Sequence, residues 1–229
     1  MRFTRGAPLV LAVGLLACSA PSKHVVVTPT PTDDPGRARA LLLTESDLPD
    51  GWRASVHSVD PIVERENRRL ASCASAPDPA VVQTADVYGK DFGQGAQIIG
   101  SESVFVRTAA DAAKAIAALK NNRAVRCATA SVRPILAEQL RKQGLKATVQ
   151  SVHVTRLTLP VRGFVAAFRV VTNLSAAGAT LTIFQDAVFL AKGRAQVRAT
   201  FIDVGVAFPM NLELALSKKL AAKLDGGRR

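Results

Sequence analysis

Residues 179–204 read ATLTIFQDAVFLAKGRAQVRATFIDV, and this stretch decides the fold. Residues 179–191 and 195–204 are two runs rich in Val, Ile, Phe and Thr, which suit a pleated, half-buried surface. Between them, Lys192-Gly193-Arg194 reads as a three-residue hairpin loop. That loop sets Ala191 opposite Ala195, Phe189 opposite Val197 and Ala187 opposite Ala199, making one face apolar. Asp186 and Arg198 then fall on the other face.

Working outward, residues 149–159 and 164–172 are further long, β-branched runs. Downstream, Pro209 opens a helix in which Leu212, Leu216, Leu220 and Leu224 recur every four residues. Lys218, Lys219 and Lys223 sit towards its C-terminal end, where cations favour the dipole. Upstream, residues 97–107 are strand-like, rich in Ile and Val, and Thr108-Ala109-Ala110-Asp111 is a capping box. The helix it opens carries Ala112, Ala115, Ile116 and Leu119 on one face. A second helix is expected over residues 131–143, with Pro134 in its first turn and Gly144 as its stop. Residues 37–43 and 61–70 predict two more helices, and Trp52 opens a strand after the turn Asp47-Leu48-Pro49-Asp50-Gly51. Consecutive hairpins flanked by helices predict an α+β fold: an antiparallel sheet of about five to seven strands with helices packed mainly on one face.

The N-terminus supplies an address. Arg2 and Arg5 precede an apolar run, residues 7–17, which is too short to span a bilayer but suits a signal peptide. It ends in Leu15-Leu16-Ala17-Cys18, which resembles a bacterial lipobox. The resemblance implies a signal peptide over residues 1–17, palmitate-type acylation of Cys18, and a lipid anchor on the outer face of the cell membrane. Each buried CH₂ of such an anchor contributes about 0.8 kcal/mol. Residues 18–35 then form a tether, with Pro21, Pro29, Pro31 and Pro35 among Ser, Thr and Asp. An extended tether of this length reaches roughly 50 Å. Residues 36–229 remain as one binding domain with no second segment of membrane-spanning length.

With Cys18 acylated, Cys73 and Cys127 are left as an even pair in an oxidising compartment, and a disulfide between them is expected. A metal centre is not expected, since His24, His57 and His153 are scattered without ligand spacing, and no cofactor motif is present. The whole chain is formally +12; without Arg2 and Arg5 it holds 28 basic and 18 acidic side chains. That balance suits anionic lipid or a phosphorylated wall polymer, while export argues against nucleic acid. A solvated charged surface with no specific partner is the competing reading.

Residues 42–52, LLTESDLPDGW, resemble the start of actinobacterial surface lipoproteins that are similar to the extracellular sensor domain of mycobacterial receptor Ser/Thr kinases. The Cys73/Cys127 pair, the helix opened by Thr108 and the strand meander ending in a helix fit that layout. The resemblance implies a sensor-like extracellular domain. Those kinase-linked domains carry a second disulfide, for which this chain has no cysteines.

No catalytic constellation stands out: nucleophile elbow, zinc-protease helix, phosphate-binding loop and dinucleotide fingerprint are all missing. Gly89-Lys90-Asp91-Phe92-Gly93-Gln94-Gly95 reads as a surface loop. His57 and His153 read as strand histidines, and Glu102 and Asp186 as ordinary outward-facing carboxylates. The informative constellation is basic. Arg65, Arg68 and Arg69 share a helical face just before Cys73, and Arg123 and Arg126 lie just before Cys127. A disulfide would gather them into a cationic surface suited to phosphate groups, unless Glu64 and Glu66 neutralise them locally. Arg156, Arg169 and Arg198 are candidates for polar contacts in a concave sheet face; Arg169 stands among Val165, Ala167 and Val171, as a ligand contact or as a snorkelling, ion-paired arginine.

The expected function is therefore a non-catalytic ligand-binding or sensor-like module that takes an anionic lipid, a wall polymer or a small amphiphile. The alternative is a structural or assembly factor docked on an envelope protein.

Overall fold

A computed structural model describes residues 33–226. The signal peptide, Cys18 and most of the tether lie outside the described residues. In chain order the elements are α1 (Asp34–Ala40), β1 (Arg53–Ser55), α2 (Pro61–Cys73), α3 (Pro79–Val82), β2 (Gln83–Tyr88), β3 (Asp91–Gln94) and β4 (Gln97–Val106). They continue as α4 (Ala109–Lys120), α5 (Asn122–Lys142), β5 (Ala147–Leu157), β6 (Phe164–Ala176), β7 (Ala179–Lys192), β8 (Ala195–Val204) and α6 (Met210–Gly226). The strands form one eight-stranded antiparallel sheet in the order β1-β3-β4-β8-β7-β6-β5, with β2 also pairing on β4.

The decisive hairpin forms where the sequence places it, with a different register. Lys192 pairs with Ala195, so the turn is the two residues Gly193-Arg194, and Gly193 supplies the positive φ of 60° that such a turn needs. One residue of slip moves every side chain to the opposite face. Val188 now faces with Ala199, Leu190 with Val197 and Asp186 with Phe201, while Arg198 shares the other face with Phe189. Asp186 and Arg198 are thus on opposite faces of the sheet.

Both faces are buried. On one, Leu70 of α2, Leu119 of α4 and Val132, Leu136 and Leu140 of α5 pack over Phe168, Val170, Ala187 and Phe189. On the other, Leu216, Leu220 and Leu224 of α6 and Ala38 of α1 pack over Val188, Leu190, Val197, Ala199 and Phe201. Three of the four long helices thus lie on the first face. Fully burying one such aliphatic or aromatic side chain contributes about 1.5–3 kcal/mol.

Helix α5 starts at Asn122, well before the expected residue 131, with Asn121 as its cap accepting from the Arg123 amide at 2.8 Å. Pro134 lies inside this helix and does not open it. The interior proline costs about 3 kcal/mol. Burial of Ala124, Cys127, Ala128 and Val132 against α2 and the sheet offsets it. The expected disulfide is present: Cys73 at the end of α2 is bonded to Cys127 of α5, with Cα atoms 5.9 Å apart. Closing that loop stabilises the fold by about 4 kcal/mol in the chain-entropy view.

Residues expected as a Gly-rich loop contain β3, whose Phe92 is 1 % exposed and pairs with Ile99. The stretch 42–52 is a strap tied to α6. Thr44 and Asp47 cap its single 3-10 turn reciprocally, and Leu43 N–H donates to Ser101 Oγ at 3.0 Å. Lys223 donates to Leu42 O and Asp47, Lys219 donates to Asp47 O, and Trp52 meets Phe208 at 6.3 Å. Those lysines hold the strap, beyond any effect on the helix dipole. At the entry to the fold, buried Asp34 receives both arms of Arg194, Nη2 at 2.9 Å and Nη1 at 3.2 Å, and the Thr84 hydroxyl at 2.7 Å.

Candidate functional site

The polar chemistry of the sheet is concentrated where side chains point inward with partners already in place. Arg169 grips Asp186 with Nε at 2.8 Å and Nη2 at 2.6 Å, on the face covered by α6. A bulge between Phe164 and Ala166 sends Val165 into the opposite core, so only Ala167 and Val171 remain Arg169's expected neighbours. Glu213 of α6 lies beside this pair and is fully buried, as is Asp186. Burial, then the negative charge of Asp186, pushes the Glu213 carboxyl up to about 8. Arg169 is the ion-paired arginine, occupied by its carboxylate.

Arg198 forms an ion pair with Glu102 on the opposite face, and Glu102 is buried rather than outward-facing. Burial raises the Glu102 carboxyl well above the usual range; Arg198 opposes that shift and Asp86 adds to it. Tyr88 sits across from Glu102 in the β2–β4 ladder, and burial followed by the Glu102 charge raises its hydroxyl. His57 stacks on Tyr88 with ring centroids 4.8 Å apart, and its Nδ1 lies 3.0 Å from Asp91. It pins the segment between β1 and α2. Glu102 and Asp186 point to opposite faces and do not form an acid/base pair. Arg156 donates to Leu119 O at 2.9 Å and Asn121 O at 2.6 Å, satisfying carbonyls at the end of α4, and covers Phe168. His153 is an exposed residue of β5.

Between the α2, α3 and α4 helices and the sheet there is a cleft. Gln83 of β2, Val104 and Val106 of β4, Gln196 of β8 and Phe189 of β7 contribute from the sheet. Ala115 and Leu119 come from α4; Ala71, Ala76, Pro77, Pro79 and Val82 come from the end of α2 and from α3. The cleft holds about 60 Å³. Local structure explains its wall. α2 ends with Ser75 at φ 59°, Ser75 N–H donating to Ser72 O at 3.1 Å and Ala76 N–H to Ala71 O at 2.9 Å. That is a Schellman termination with serine in the position glycine usually takes. It turns the chain so that Ala76 and Pro77 border the cleft, while the disulfide holds the same helix end to α5. Gln196 Nε2 is buried and has no hydrogen-bond partner. In the ladder Gln196 pairs with Val104, and the next pair on that face is Arg198 with Glu102.

The five arginines of the expected cationic surface all lie on the α2–α5 pair. Arg65 bonds Glu66 at 3.1 Å and Glu138 at 2.8 Å, and Arg69 bonds Glu66 at 2.7 Å. Those carboxylates raise the Arg65 guanidinium's affinity for its proton. Arg68 and Arg126 are exposed, and exposed Arg123 reaches Ser75 Oγ at 3.3 Å, next to the cleft wall. The acids therefore divide the surface, taking Arg65 and Arg69.

Sequence reasoning missed the cleft and Gln196. The strand at residues 97–107 carries a signal, since its period of two puts Glu102, Val104 and Val106 on one face. The off-by-one hairpin register hid the partner side, Phe189 and Gln196.

No protein-family model matches the sequence, and no curated protein matches it. Among solved structures it is similar to the extracellular domain of PknH from Mycobacterium tuberculosis, with a TM-score of 0.38 and 12 % sequence identity. That similarity covers 84 % of this chain and 95 % of the other.

Proposed function

We propose that the protein is an extracytoplasmic module, anchored through acylated Cys18 on the outer face of the cell membrane, that binds a small amphiphile or wall-polymer fragment without transforming it. The supporting observation is the cleft against the sheet. It has apolar walls, one buried amide without a partner, and Arg123 beside its wall to meet a polar or phosphate-bearing portion outside. Its lining consists of Ala, Pro, Val, Leu, Phe and Gln, none of which is a nucleophile or a general base. Of the titratable groups around it, Glu102 and Arg198 are engaged with each other, and Asp86, opposite Val104 in the β2–β4 ladder, interacts with Glu102.

Mass-spectrometric profiling of lipid, glycan and protein that co-purify with the full-length protein from its native envelope tests this reading. The expected outcome is a stoichiometric small molecule that disappears in Ala115→Phe, which fills the cleft from α4. A stable protein partner with no small molecule would overturn it in favour of an assembly role.

A further inference from the structure

We infer that the group entering the cleft is a short acyl amide, of the size and polarity of an acetamido group, whose carbonyl oxygen accepts from Gln196 Nε2. This rests on the cleft being the binding site. Three observations lead there. The volume of about 60 Å³ is well below the ~150 Å³ that accepts a benzene ring, so the enclosed part of the cleft suits a group of a few heavy atoms. The walls at Val82, Val104, Leu119 and Phe189 suit a methyl group. Gln196 Nε2 is a buried donor with no partner, a costly state that a ligand acceptor relieves.

Alternatives fit less well. A carboxylate or phosphate oxygen would meet no cation among the lining residues. A carbonyl with one methyl on it satisfies the amide and fills the rest. Such groups are carried by N-acetylated amino sugars, the wall-polymer side of the proposed ligand range, and by simple acyl amides; both present the same atoms to the cleft.

Calorimetric or NMR titration of the full-length protein in detergent tests this, using three probes: a trimer of N-acetylglucosamine, the same trimer with free amines, and N-methylacetamide. The N-acetylated trimer is expected to bind at least about tenfold more tightly than the free-amine trimer. N-methylacetamide should compete weakly at the same residues, and no competition would limit the ligand to glycans within the same inference. Gln196→Leu should lose about tenfold for the acetylated trimer at an unchanged melting temperature. Ala115→Phe should abolish binding, and it serves as the control if the Gln196 variant is unstable. Equal affinity for both trimers, or an unchanged affinity in Gln196→Leu, overturns the acyl-amide assignment. If co-purified ligand is lost in Ala115→Phe while the acetylated trimer never binds, only this inference falls. If Ala115→Phe changes no ligand at all, the cleft reading falls with it.

Discussion

The two faces of the sheet solve one problem in different ways. Each carries a buried carboxylate held by a strand arginine: Asp186 with Arg169 under α6, and Glu102 with Arg198 on the side of the cleft. Under α6 a further carboxyl, Glu213, faces the pair, and leucines of the helix pack alongside. On the other face, Asp86 and Tyr88 attend the pair and the helices leave a cleft beside it. The α6 face thus holds excess acid that burial keeps protonated. The cleft face has its own second carboxyl, Asp86, beside a Glu102 that burial also raises, and in addition an amide with spare capacity. One is organised for closure, the other for occupancy.

Breaking the cleft-side pair should have the largest effect. Arg198→Met leaves Glu102 buried without its cation and should cost about 3–5 kcal/mol in urea unfolding at pH 7. The matching Arg169→Met should cost less at pH 6, because Glu213 can share a proton with Asp186. If both variants lost the same amount at every pH, the two faces would not differ as described.

The second effect sharpens the contrast through pH. Glu213 is raised from 4.5 to about 8 in the fold, so the folded state holds a proton that the unfolded state has released across that window. Its stabilising effect is therefore complete below about pH 4.5 and is lost as pH rises through about 8. Glu213→Gln should remove this slope and gain on the order of 1–3 kcal/mol over the parent at pH 9, read from denaturation midpoints. A parallel pair of stability–pH curves would refute the buried, protonated acid.

Smaller effects come from the edges of the two faces. Lys223→Met removes the α6 contacts to Leu42 O and Asp47. Burial works against ionised Asp47, but Lys223 and the Thr44 amide and hydroxyl outweigh it and hold its carboxyl below its ordinary value. Its contribution is present above about pH 4 and is lost as pH falls through the lowered value. The variant should lose about 1 kcal/mol at pH 7 and flatten that acid limb in thermal melts. The pairs that Arg65 and Arg69 make from the helix surface come last. Changing both to Gln should lower binding to anionic vesicles less than Arg68→Gln with Arg126→Gln does.

The α+β class, the long strands and the Cys73–Cys127 bond were legible because each rests on a local or pairwise regularity. Register was not, for a physical reason. Val188, Phe189 and Leu190 are consecutive apolar residues in a strand buried on both faces, so alternation carries no information about direction. The start of α5 was hidden by Pro134, which reads as a first-turn residue and is tolerated mid-helix only because tertiary packing holds both sides. Glu102 looked like a surface acid because its cation, Arg198, is almost a hundred positions away. The cleft draws on residues from Ala71 to Gln196 across strands, helices and a loop, which no window of sequence displays together. The five arginines lie on the disulfide-linked α2 and α5, and Glu138, distant in sequence, pairs with one of them, Arg65.

The Asp34–Arg194 clamp and the lysine-held strap together give the chain a mechanical character. A pull arriving from the N-terminal side meets Asp34 first and passes into the β7–β8 turn through Arg194. What continues along the chain reaches residues 42–47, where Lys219 and Lys223 hand it to α6. Tension is shared between two fastenings before it can peel a strand from the sheet. The Gln196 cleft lies on the opposite face, so the fold can be tugged from its leading end while its cleft keeps its shape.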